Sequence, residues 1–227
     1  MRLFRRGEGA APAASAIDEA RANTQAVTAV VRALAEATTL DAAARAALAA
    51  VRACFGWAYG SYWRVDPATQ SLRFALESGD AGEEFRRVTL AASFREGVGL
   101  SGRAWKARDL VFVQDLGDVK DCVRAPVAQK VGVRSGICFP ITDAGKVVGT
   151  MDFFATETLE LSEERLDTLR SVGVLVSQAL ERVAQTERQE AAALDVAAMD
   201  LFVAPPLVLT CSMSSSSFDW SAENLSG

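Results

Sequence analysis

The sequence predicts an α+β fold, a central antiparallel β-sheet bracketed by helices from the two ends of the chain. Three observations carry this. Twenty of the first 53 residues are alanine, the strongest helix former, and Ser15 to Cys54 holds no Gly or Pro. At Gly56 the apolar period changes from 3.6 to 2, and two hairpin signals follow. After Ser162 a seam of Leu and Val returns at near-heptad spacing.

In the first helix Ile17, Thr24, Val27, Val31 and Leu34 recur at spacings of three, four or seven and predict one apolar stripe. Thr39 or Asp41 reads as the N-cap of a second helix with Leu48, Val51 and Phe55 on its buried face. Trp57, Tyr59, Ser61, Trp63 and Val65 alternate as a strand, Asp66-Pro67-Ala68-Thr69 turns the chain, and Leu72, Phe74 and Leu76 return it. A third strand is expected near Phe85 to Ala91 and a short one over Leu110 to Gln114. Ser135 to Thr142 and Lys146 to Ala155 flank Asp143-Ala144-Gly145 as a second hairpin. Ser162 caps a last helix, with Glu163 and Glu164 at its positive end and Leu166, Leu169, Val172, Val176, Leu180 and Val183 along its seam. It is expected to run to about Ala198, longer than the domain's own core needs, as a connector or dimer stalk.

Composition excludes several functions. The 227-residue chain has no histidine, so Ser/His/Asp or Cys/His catalysis, histidine zinc sites and His-ligated haem are closed to it. Its net charge of -5 excludes nucleic-acid binding through bulk positive charge. Cys54, Cys122, Cys138 and Cys211 are widely separated and read as free thiols of a cytoplasmic protein. The basic start runs into Gly7-Glu8-Gly9 and not into an apolar stretch, and the run Leu201 to Thr210 is too short to span a bilayer.

Gly97-Val98-Gly99-Leu100-Ser101-Gly102 matches the dinucleotide fingerprint, with Asp115 where a ribose-binding acid is sought. The geometry is wrong for it. Only seven residues separate Gly102 from Leu110, too few for a crossover helix, and Ser93-Phe94-Arg95-Glu96 is no buried strand.

Taken together, the strand Phe55-Gly-Trp-Ala-Tyr-Gly-Ser-Tyr-Trp63, the Gly97-x-Gly99-x-x-Gly102 loop, Leu110 to Asp115, Gly132 to Ile141 and Val147 to Phe154 resemble a GAF domain, a sensory module of bacterial signalling proteins. The resemblance implies that the terminal helices pack on one face of the sheet and that loops and short helices enclose a small-molecule pocket on the other. It also implies a homodimer through those helices and a signalling output partner, while charge and composition lead to the expectation of no nucleic acid and no membrane span. The expected organisation is a flexible stretch 1–14, a linker helix 15–38, the GAF domain 39–183, a helix extension 184–199 and a poorly ordered tail 200–227.

Candidate ligand-binding residues are Tyr62, Trp63, Trp105, Asp115, Cys122, Cys138 and Asp152. Trp57, Tyr59, Tyr62 and Trp63 are either ordinary strand aromatics or a surface that stacks on a planar or cationic ligand. Trp105 either covers the sheet edge or walls the pocket. Asp152 interrupts an apolar strand, where a carboxylate needs water, a partner or a ligand. Lys120, Asp121 and Arg124 read as a solvated charged face.

The residues name no cofactor. Cys122 lies where bilin-binding members attach chromophore, but Val123 follows it instead of histidine, so bilin is not expected. The signature of the cyclic-nucleotide branch is missing between Leu110 and Asp152. Trp57, Gly60, Tyr62 and Asp152 are similar to the substrate pocket of GAF-fold enzymes that reduce free methionine sulfoxide. Gly99 to Gly102 lacks their cysteine, however, and Gly136 stands in place of their glutamate. A non-enzymatic sensor is therefore expected, with a ligand-free dimerisation scaffold and a thiol-dependent reductase as alternatives.

Overall fold

The computed structural model describes residues 10–203, with side chains for residues 16–195. The expected flexible start therefore falls largely, and the expected tail almost wholly, outside the described residues. Helices α1 (Ala10–Ala35) and α2 (Leu40–Cys54) lead into β1 (Tyr59–Asp66) and β2 (Ser71–Gly79). Then come α3 (Glu83–Ala91), β3 (Ser93–Phe94), α4 (Gly99–Ala107), β4 (Val111–Val113), a 3-10 turn Leu116–Asp118 and α5 (Ala125–Lys130). The hairpin β5 (Ser135–Asp143) and β6 (Lys146–Ala155) precedes α6 (Glu163–Val203). The six strands form one antiparallel sheet in the order β3-β2-β1-β6-β5-β4.

Local chemistry accounts for the joints. Thr39 caps α2 by accepting the Ala42 N–H at 3.2 Å. The Asp66 carboxylate accepts the Ala68 N–H at 2.9 Å and the Thr69 hydroxyl at 2.8 Å, which folds the β1–β2 turn. Between β5 and β6, Ala144 and Gly145 both take positive φ (49° and 75°), the two-residue hairpin geometry whose twist matches the strands.

Three expectations are corrected. The segment Phe85 to Ala91, expected as a strand, is helix α3, because Glu83 and Glu84 favour its first turn and Phe85 and Thr89, four apart, share its buried face. The stripe of α1 lies one residue round from its expected position, so that Asn23, Ala26, Val30 and Leu34 are buried while Ile17 and Val31 are exposed. Helix α6 reaches Val203, beyond Ala198; residues Glu190–Val203 belong to a second compact unit, described here only as helix.

Each face of the sheet has its own apolar core. On one face α1, α2 and α6 cover Tyr62, Ile137, Phe139, Ile141, Met151 and Phe153 with Val30, Leu48, Val51, Leu169, Val172 and Val176. Helices α1 and α6 run alongside in parallel, with Arg165 donating to Asn23 Oδ1 at 2.6 Å. The other face carries Tyr59, Trp63, Cys138 and Phe154 under α3, α4, α5 and the segment between β4 and α5. Successive strand residues point to opposite faces, so Cys138 and Phe139, or Asp152 and Phe153, are one residue apart and face different cores.

Candidate functional site

Asp152 lies in the middle of β6 on the face away from the terminal helices, fully buried. Its carboxylate accepts three side-chain hydrogen bonds: Ser61 at Oδ1, and Ser101 at 2.7 Å and Arg124 Nη2 at 2.6 Å on Oδ2. The serines also accept. Ser61 Oγ takes the Trp63 indole N–H at 3.0 Å and Arg124 Nη1 at 3.4 Å, and Ser101 Oγ takes Arg124 Nη2 at 3.2 Å. Arg124 is itself only 1% exposed. Its guanidinium lies 5.1 Å from the Trp63 ring centroid, 4.9 Å from Phe94 and 4.8 Å from Phe154. A cation over three aromatic faces and against a carboxylate is a desolvated cation–π cage.

Each side chain is positioned by a local feature. Ser61 and Trp63 alternate on β1, opposite Asp152 and Thr150 of β6 in the sheet register. Ser101 sits in the first turn of α4, which lies close because Gly99 and Gly102 lack side chains. A Cβ on Gly102 would stand 2.1 Å from the Arg95 carbonyl oxygen, and Gly99 has φ 63°. Gly136 of β5 leaves room for Leu100 of α4 and Leu116. The segment that delivers Arg124 is fastened by Asp121, which accepts the Gly99 N–H at 3.0 Å and pairs with Arg103 at 2.6 Å. The Gly99 N–H holds the Asp121 carboxyl below the usual range, with Arg103 adding to it.

Of the candidate residues, Trp63, Cys138 and Asp152 meet in this cluster, Cys122, on the segment that carries Arg124, packs into the same core, and half-buried Trp105 packs against it. Asp115 serves the backbone, capping the 3-10 turn by accepting the Gly117 N–H at 2.8 Å. Tyr62 is not brought to the cluster: it lies on the helix side, under the Arg64 guanidinium and beside a cavity of about 190 Å³. The expected solvated face holds for Lys120 and Asp121 but not for Arg124, whose burial follows from the carboxylate it neutralises.

Ser61, Ser101, Phe94 and Phe154 were not singled out by sequence reasoning. The signal available was Asp152 itself, an acid in an apolar strand that required a cation and donors nearby. Burial, with the Asp152 charge adding to it, pushes the Cys138 thiol well up, so it stays protonated at neutral pH. Among the described residues no group of His, Cys, Asp and Glu could hold a metal ion, and no helix is long and apolar enough to cross a membrane.

Fold and site together define an α+β module with a sheet covered by helices on one face and a lidded polar centre on the other. Residues 37–181 match the family model for the GAF domain, and the chain belongs to that family. The GAF domain of a phosphoenolpyruvate-protein phosphotransferase from Coxiella burnetii superposes with a TM-score of 0.62 at 12% identity, over 76% of this chain and 98% of that one. Free methionine-R-sulfoxide reductase from Neisseria meningitidis, in complex with its substrate, superposes at 0.58 and 19% identity over 82% and 98%. A phosphotransferase GAF domain from Acinetobacter gives 0.58 and 13% over 73% and 97%. No curated protein matches the chain by sequence.

Proposed function

We propose that this chain is a non-enzymatic sensory GAF domain that takes a small polar ligand at the Asp152 centre and relays its occupancy through α1 and α6 to a signalling partner, as a homodimer. The observation that carries the reading is the Arg124–Asp152 pair. Burying two full charges adds little net stability, and well-packed apolar residues of similar volume often do as well or better. A pair set on the lidded face of a ligand-binding fold therefore points to binding. The relay has a short physical path. Phe139, next to Cys138, packs on Gly173 of α6, where a Cβ would stand 3.0 Å from its ring, and Phe153, next to Asp152, packs on Phe139 at 5.8 Å. A protonated Cys138 favours binding over thiol chemistry.

Thermal denaturation of the full chain against a metabolite library tests this, because a ligand that binds only the folded state raises Tm with concentration. A saturable rise for one chemical class, with altered amide exchange in α1 and α6, is the expected result. A blank library counts against sensing and leaves the scaffold alternative, whereas a monomer by sedimentation at micromolar concentration counts against the dimer.

A further inference from the structure

We propose that Arg124 is a tethered stand-in for the ligand, and that the ligand is a small organic cation of the guanidinium or alkylammonium class which takes the Arg124 guanidinium's place. The inference rests on the sensory reading and deepens it. The groups that contact the guanidinium present negative charge, lone pairs or a π face: the Asp152 carboxylate, two serine oxygens and three aromatic rings. Both serines spend their protons on Asp152, so their lone pairs remain for a cationic donor. An anion that took the guanidinium's place would meet the Asp152 carboxylate instead of a partner.

Arg124 also fits the cage incompletely. Its Nε is buried with no hydrogen-bond partner. A free cation carrying its own substituent can engage groups that a side chain fixed at residue 124 cannot reach. The segment that carries Arg124 packs into the core through Leu116, Val119 and Cys122, but apart from Arg124 itself its side-chain fastening to α4 is the half-exposed Asp121–Arg103 pair and one backbone N–H, and Val123 beside Arg124 points to solvent. Release of Arg124 by a competing cation would free residues 116–131 while the cage stays filled, so lid position reports occupancy.

Methylguanidinium is the probe, with methylurea as its neutral isostere and acetate as the anion, each at low-millimolar concentration. In wild-type protein methylguanidinium is expected to shift the Trp63 indole N–H resonance saturably and to speed amide exchange in 116–131. In Arg124→Gln, with the tethered competitor gone, it should bind about tenfold tighter, a tether's local concentration being in the millimolar range. Adding Asp152→Asn to that variant should abolish binding, and methylurea and acetate should bind neither protein.

The proposal is overturned if folded Arg124→Gln binds methylguanidinium no tighter than wild type, or if acetate competes with it. If Arg124→Gln does not fold, the wild-type exchange decides, and an unchanged lid at saturating probe overturns it. A neutral or anionic metabolite that binds wild type and leaves Arg124 in place would sink this inference and keep the sensory reading. If no compound of any charge binds either protein, both fall.

Discussion

On the helix side of β5 and β6, Ile137, Phe139, Met151 and Phe153 meet Leu169, Val172 and Val176, all buried and all apolar. One residue along the same strands, the lid side gathers Cys138 and Asp152 with Arg124, two serines and three aromatic rings. The two buried charged side chains among the described residues both lie there. The helix side is held by area removed from water, which is non-directional and nearly indifferent to pH. The lid side is held by directed, charge-dependent contacts, whose strength depends on every partner being present. Non-directional packing thus holds the helix face and directed, charge-dependent contacts hold the lid face.

The largest test of that contrast is Asp152→Asn, which strands the Arg124 guanidinium in a dry core. It is expected to cost about 3–5 kcal/mol in urea denaturation, while Arg124→Met with Asp152→Leu recovers most of the loss. A single-variant cost below about 1 kcal/mol would erase the distinction between the faces. On the helix side Leu169→Ala should cost about 3 kcal/mol by cavity formation, equally at low and high salt. Gly102→Ala drives a methyl into the Arg95 carbonyl and should cost about 1–3 kcal/mol, with faster amide exchange in α4 and the lid but not in α6.

Two pH responses are smaller and fall on the lid side. Burial, then the hydrogen bond to Glu77, raises the Tyr59 pKa, so the folded state keeps a proton that the unfolded chain releases. Stability is present in full below the ordinary tyrosine value of about 10 and falls as pH rises above it, and Tyr59→Phe should flatten that loss in alkaline melts. Asp121 is depressed, so its contribution is present above the ordinary carboxylate value of about 4 and is lost as pH falls through the lower folded value. Lid amides should exchange faster below about pH 4, and Asp121→Asn should remove that step.

Most of the fold was legible because it rests on periodicity. Thr39, the Asp66 turn, the Ala144-Gly145 hairpin and the Leu169 to Val183 seam each state their geometry locally. Phe85 to Ala91 was misread because a short segment with one buried aromatic fits either period until its neighbours choose. The site was less legible. Asp152 announced a need, but Arg124 answers it from 28 positions away, and Ser61 from 91. Nothing local separates a buried arginine from a solvated one, since the deciding partner arrives only with the tertiary fold. Tyr62 and Trp63 are neighbours of the same chemical kind, and a register irregularity between them accompanies their assignment to opposite faces.

The one-residue interval between Asp152 and Phe153 also bears on how the gene can change. Deleting a single codon between Val147 and Met151 while the downstream pairing is held would leave the upstream half of β6 inverted. If pairing is held upstream instead, the carboxylate is swung against Leu169 and a phenyl ring into the serines. Point substitutions can retune this domain residue by residue, but insertions and deletions in its central strand are expected to be lethal to it.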